Sequence, residues 1–146
     1  MEPNDVDMSE WASSPEEVCK VLDDYRVIAV VGLSPSPDRP SYGVARYLMG
    51  EGYKIIPVRP AVQTVLGEKA YPDLKSIPAD EGVEIVDVFR RSEHVLPIAQ
   101  EAIAIGAKVL WMQDGVINVE AAKLARDAGL TVIMNRCMAR DHRALS

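Results

Sequence analysis

The chain predicts an α/β fold, a three-layer domain around a five-stranded, mostly parallel, doubly wound sheet. Three observations carry this expectation. Short runs rich in Val and Ile at 27–32, 53–58, 83–89, 108–113 and 130–135 read as strands. Several lack the apolar–polar alternation of a half-exposed strand, which is how strands read when helices cover both sheet faces. Helical patterns at 41–51, 92–105 and 118–128 fall between them, and Gly52, Gly106 and Gly129 stand just past those helices at the stop position. Alternation of this kind gives parallel strands with right-handed crossovers, so all strand C-termini lie on one edge. Ligands of such sheets bind outside that edge, where the strand order reverses.

Taken in order, residues 1–13 form an acidic N-terminal extension, expected to be poorly ordered or loosely docked, and 14–146 form one domain. The segment Ser13-Ser14-Pro15-Glu16-Glu17 is a helix start, because Ser caps, Pro suits the first turn and two Glu suit the positive dipole end. Val18, Val21, Leu22 and Tyr25 give that helix its apolar face. The first strand then runs into Gly32-Leu33-Ser34 and a polar, Pro-rich loop before the next helix. Segment 59–82 is long and contains Pro, with at most a short helix at 73–77. Pro97 falls in the first turns of the helix at 92–105, where it is tolerated.

The 146 residues carry a net charge of −6 and a pI near 4.9. That excludes a broad nucleic-acid surface, which needs a basic face to displace counterions. It permits a small basic pocket on an acidic body. Two cysteines, Cys19 and Cys137, make no disulfide scaffold. No apolar run approaches the roughly 20 residues that span a bilayer. The acidic start lacks the basic and apolar regions of a signal peptide, so a cytoplasmic protein without membrane association is expected.

The informative residues follow the strands. Gly32 lets the backbone turn sharply and lets a phosphate approach, and the Ser34 hydroxyl can donate to it. Arg39 and Ser41 lie before the next helix, as a cation and a cap at an N-terminus that favours anions. The bland alternative is a Gly turn with a capping Ser and no ligand. The dinucleotide fingerprint G-x-G-x-x-G is incomplete, since Leu33 and Ser34 follow Gly32 where a second Gly belongs one residue on. After the second strand comes Val58-Arg59-Pro60. A cation stands where an NAD site wants an acid, which suits a phosphorylated ribose as in NADP or coenzyme A. The alternative is a surface Arg in a rigid loop. After the third strand comes Phe89-Arg90-Arg91, two adjacent guanidinium groups able to hold a pyrophosphate or to pair with neighbours such as Glu93.

Gln113 and Asn135 end the fourth and fifth strands, suited to orienting a polar ligand or closing a loop. Asp87 lies inside the third strand, where a buried carboxylate needs a partner. Catalytic groups are scarce. Cys137 reads as a buried structural thiol or a reactive one. His94 and His142 have no evident partner, and the chain holds no metal-ligand cluster, nucleophile elbow or Walker lysine.

The runs Val30-Val31-Gly32-Leu33-Ser34-Pro35-Ser36-Pro37-Asp38-Arg39-Pro40-Ser41, Ile56-Pro57-Val58-Arg59-Pro60, Asp87-Val88-Phe89-Arg90-Arg91-Ser92, Gly106-Ala107-Lys108-Val109-Leu110-Trp111-Met112-Gln113 and Asn135-Arg136-Cys137-Met138 resemble the small stand-alone CoA-binding proteins. These are similar to the CoA-binding domain of the succinyl-CoA synthetase α-subunit. The resemblance runs from about residue 14 onward. It implies a Rossmann-like fold with coenzyme A or an acyl-CoA across the strand C-termini. By position, Gly32, Leu33 and Ser34 would surround the phosphates, supported by Arg39 and Ser41. Val58, Arg59 and Pro60 would border the adenosine, and Phe89, Arg90 and Arg91 would approach from the third strand. Two residues depart from the pattern: many relatives have Asn at the place of Arg59, and often a neutral residue at the place of Asp114. The histidine through which the synthetases transfer phosphate sits in a later domain and has no counterpart here. The resemblance therefore implies binding of a small-molecule nucleotide, with no catalytic residue of its own. The competing readings are an NADP-dependent oxidoreductase and a regulatory partner protein with a vestigial nucleotide site.

Overall fold

The structure, a computed structural model, describes residues 8–145. Helix α1 (Pro15–Asp24) begins as the sequence indicates, with the Ser14 side chain accepting from the Glu17 amide at 3.1 Å and Pro15 in the first position. Then follow β1 (Val27–Val31), α2 (Pro40–Gly50), β2 (Lys54–Val58), the short β3 (Thr64–Val65) and β4 (Glu68–Lys69), β5 (Ile85–Val88), α3 (Val95–Ala104), β6 (Val109–Met112), α4 (Val119–Asp127), β7 (Thr131–Ile133) and α5 (Met138–Leu145). The main sheet has the order β2-β1-β5-β6-β7, and every neighbouring pair is parallel. The chain moves outward from β1 to β2, then crosses back to place β5 on the other side of β1. The strand order therefore reverses between β1 and β5, beyond whose ends lie Gly32 and Phe89.

Both sheet faces are apolar because both are covered, which is why the strand runs lack alternation. Ile28, Val30, Ile55, Ile85, Val109, Trp111 and Ile133 cluster with Val18, Val21 and Leu22 of α1, Ala45 and Leu48 of α2 and Met138 of α5. Ala29, Val31, Ile56, Val58, Val86, Val88, Leu110 and Met112 cluster with Val95, Ile98, Ala99 and Ala102 of α3 and Ala121, Ala122 and Ala125 of α4. Each large side chain buried this way contributes about 1.5–3 kcal/mol relative to exposure. The arrangement is the three-layer α/β, Rossmann-like sandwich that the alternation of elements implies.

Three features depart from the sequence expectation. Segment 59–82 contains the β3–β4 hairpin, whose two turn residues, Leu66 and Gly67, both have positive φ (54° and 77°). It then returns alongside β2: the Tyr71 amide donates to Pro57 at 3.0 Å and the Arg59 amide donates to Tyr71 at 2.8 Å. Helix α5 was not among the expected elements. Finally, residues 8–13 are not loosely docked. Trp11 is buried against the α3–α4 layer, with the Arg126 guanidinium 4.0 Å from its ring centre and Glu10 paired to Arg126 at 3.1 Å. The rest of the expected extension, residues 1–7, lies outside the described residues.

Candidate functional site

The loop from β1 to α2 is built by its own small polar side chains. Gly32 has φ +87°, and its amide donates to the Val58 carbonyl at 2.8 Å. A Cβ there would overlap the Phe89 carbonyl oxygen, so the close approach of the β1 and β5 ends requires Gly. Helix α2 starts at Pro40 with Arg39 in the cap position, and no side chain caps it. Ser41 is therefore inside the first turn rather than a cap. Its hydroxyl accepts from the Ser34 amide at 3.0 Å, and the Ser34 hydroxyl accepts from the Ser36 amide at 3.1 Å. The Ser36 hydroxyl in turn donates to Asp38, which holds that carboxyl below its ordinary range. The two buried serines thus hold the loop in shape from within.

Above this loop, at the reversal of strand order, lies an open cleft of about 1280 Å³. It is lined by Gly32, Ser34, Arg39, Ser41, Arg59, Pro60, Phe89, Arg90 and Arg91 among the residues singled out from the sequence. Leu33 and Val58 do not line it. Their side chains are buried in the two core layers, so only their main chain lies near the loop. Arg59 Nη1 donates to the Gly32 carbonyl at 3.5 Å, tying the second strand's end to the first turn. Among the described residues Arg59 and Arg90 make no ion pair, Arg39 feels the charge of Asp38, which lines the same cleft, and Arg91 has only an exposed pair to Glu93 at 4.0 Å. A surplus of cations on one concave surface of an acidic protein raises the local concentration of anions there. The N-terminal residues of α2 line the same surface, so the positive end of its dipole adds to the effect.

The far wall carries groups that partner residues distant in sequence neutralise. Asp114 lines the cleft, but Arg140 of α5 holds it with two bonds, 2.7 and 2.9 Å long. The negative charge that would oppose an anionic ligand is thereby compensated. Asn135, with φ 61°, uses its side-chain carbonyl to accept from the Gly115 amide at 2.7 Å, closing a loop rather than facing a ligand. Gln113 is buried at the cleft floor and donates from Nε2 to Asp87 Oδ1 at 2.6 Å. Burial pushes the Asp87 carboxyl up to about 7, against a smaller downward pull from Gln113. Cys137 is half-buried and lines the cleft. His142 donates to or accepts from the Tyr47 hydroxyl at 2.8 Å, away from the cleft.

Pro35, Val44 and Val116 also line the cleft, and sequence reasoning missed them. They are apolar residues of a loop, a helix and a loop, with no signal that separates them from core. Among the described residues no group of three or more His, Cys, Asp or Glu side chains could hold a metal ion, and no helix is long and apolar enough to cross a membrane.

Comparison with known proteins agrees with this fold. A protein of Bacillus subtilis (strain 168), YneT, is 43% identical over 125 residues, which cover 86% of this chain and 91% of that one. A solved structure of a hypothetical protein from Pyrococcus horikoshii OT3 is 40% identical with a TM-score of 0.88, covering 92% of this chain and 93% of that one. A solved structure from Thermus thermophilus is 32% identical with a TM-score of 0.85, covering 92% and 100%. Residues 26–143, from the entry of β1 into α5, match the family described as CoA binding domain. The chain belongs to that CoA binding domain family.

Proposed function

We propose that this protein binds coenzyme A or an acyl-CoA in the cleft at the β1–β5 reversal, as a cytoplasmic binding module without ligation chemistry of its own. One observation carries the reading: Arg39, Arg59, Arg90 and Arg91 share one hollow with Gly32 in a chain of net charge −6. In this reading the Gly32–Ser34 loop and the start of α2 take the pyrophosphate, with Arg39, Arg90 and Arg91 around it. Arg59 and Pro60 border the adenosine, and Arg59 takes the ribose phosphate. Family membership supports the ligand class.

Calorimetric titration with CoA, dephospho-CoA, NADPH and NADH tests it. CoA is expected to bind, and dephospho-CoA about tenfold or more weakly, the cost of losing a charged hydrogen bond. Arg59→Ala is expected to remove that difference. Binding of NADPH with no binding of CoA would move the protein to the oxidoreductase reading, which Arg59 at the end of β2 also accommodates. A protein that binds none of the four would have a vestigial site.

A further inference from the structure

Below the arginine rim, the cleft floor holds one amide whose orientation is set from behind. Gln113 is 3% exposed and lines the cleft, and its Nε2 donates inward to Asp87 Oδ1 at 2.6 Å. Asp87 is fully buried in β5, in register between Val30 of β1 and Trp111 of β6. Its Oδ2 has no partner among the described residues. A buried oxygen left unpaired is costly, so this carboxyl is not an ordinary part of the packing. With nitrogen committed inward, carbonyl Oε1 is the atom the Gln113 amide presents to the cleft. An ionised carboxylate can only accept, so it enforces that orientation. A protonated one carries a donor and can hold Gln113 through Oε1, which turns Nε2 outward instead.

The geometry points to Gln113, positioned by Asp87, as a residue that accepts a hydrogen bond from an N–H group of the ligand, so that the ligand is favoured with Asp87 ionised and disfavoured when it is protonated. This rests on the CoA reading. Coenzyme A offers amide N–H groups along its pantetheine arm and an amine on adenine, whereas its phosphates offer only acceptors. The arginines would then read the charged part of the molecule and Gln113 its neutral part. Gln113 is a binding residue in this scheme, and Asp87 is a positioning residue.

Nothing charged near Asp87 competes for its control. Its in-register neighbours Val30 and Trp111 do not titrate, and Arg39 before α2, Arg59 after β2 and Arg90 after β5 line the cleft without shifting the carboxyl. On the α5 side, Arg136 is held by Asp141 with two bonds of 2.7 and 2.9 Å and Arg140 by Asp114, while Cys137 faces the cleft. Burial and the Gln113 bond alone govern the carboxyl, and its midpoint near 7 places the change inside the physiological range.

Dephospho-CoA is the appropriate probe, because it lacks the phosphomonoester that itself titrates near pH 6. It would be titrated into wild type, Asp87→Asn and Gln113→Leu at pH 6, 7 and 8, with CoA run in parallel and folding checked by thermal unfolding at each pH. Wild-type affinity is expected to fall from pH 8 to pH 6 by up to about tenfold, the limit for a site open only in the ionised form. Asp87→Asn offers Gln113 both an acceptor and a donor but has no proton that titrates, so its affinity should be flat with pH at whatever level it takes. Gln113→Leu should bind more weakly than wild type at pH 8 and also be flat. If Asp87→Asn does not fold, the wild-type and Gln113→Leu profiles decide. Measurable wild-type binding that is flat with pH, or a slope that survives in Gln113→Leu, overturns this inference and leaves the CoA reading standing. No binding of either CoA or dephospho-CoA at any pH overturns both.

Discussion

The carbonyl oxygen of Phe89 fills the space that a side chain on Gly32 would need. Gly32 also has φ +87°, so an L residue there meets backbone strain and a backbone collision together. Gly32→Ala is expected to lose about 2–4 kcal/mol of stability. Denaturant unfolding measures this directly. A loss under about 0.5 kcal/mol, the size of an ordinary surface change, would mean that the β1 and β5 ends part easily.

Asp114 faces the cleft but belongs electrostatically to Arg140. Arg140→Ala should expose that negative charge and weaken CoA binding by about threefold to tenfold. Adding Asp114→Asn should restore it. The effect should shrink in high salt, since both groups are more than half exposed. A double variant as weak as the single one would show that Arg140 acts by direct contact instead.

Asp87 makes stability depend on pH. Its folded value of about 7 lies above the ordinary 3.8, so the folded state holds a proton that the unfolded chain has released between those values. Stability from this group is full below pH 4, falls as pH rises toward 7, and is level above it. The whole span corresponds to about 4 kcal/mol. Asp87→Asn should lack that slope and be more stable than wild type at pH 8. Equal slopes in chemical denaturation at pH 4.5, 6 and 8 would place the titrating group elsewhere.

Trp11 joins residues 8–13 to the layer formed by α3 and α4. Trp11→Ala should cost about 3–5 kcal/mol, as for a large buried aromatic. A chain starting at residue 14 should lose a similar amount. A truncated protein with unchanged thermal midpoint would make the segment dispensable.

What could be read in advance was what topology and local chemistry determine without distant partners. Non-alternating Val and Ile runs marked strands covered on both faces. Gly52, Gly106 and Gly129 marked helix ends because each adopts positive φ there (97°, 78° and 97°). Once the strands are parallel, their C-terminal residues share an edge, which brought Arg59 to the same side as Arg90 and Arg91. The rest depended on partners that sequence spacing does not reveal. Ser41 looked like a cap, yet its hydroxyl serves the Ser34 amide. Leu33 and Val58 were grouped with the cleft by proximity along the chain, while their side chains are buried in the core. Asp114 looked hostile to an anion because Arg140, 26 residues on, could not be seen to hold it. The β3–β4 hairpin carries Leu66 at φ 54°, where Asn or Gly would have announced the turn.

The return of the chain at Tyr71 along β2 also bears on how the molecule behaves in a crowd. An unpaired strand at the side of a sheet is a template on which other chains can assemble. Here one side is bridged at Val58 by Tyr71, and the other ends in β7, only 3 residues long. Among the described residues, the Tyr71 bridge covers one end of β2, and β7 leaves a border too short for an extended pairing. Self-association, where it occurs, should therefore proceed through helical surfaces and leave the sheet count per subunit unchanged.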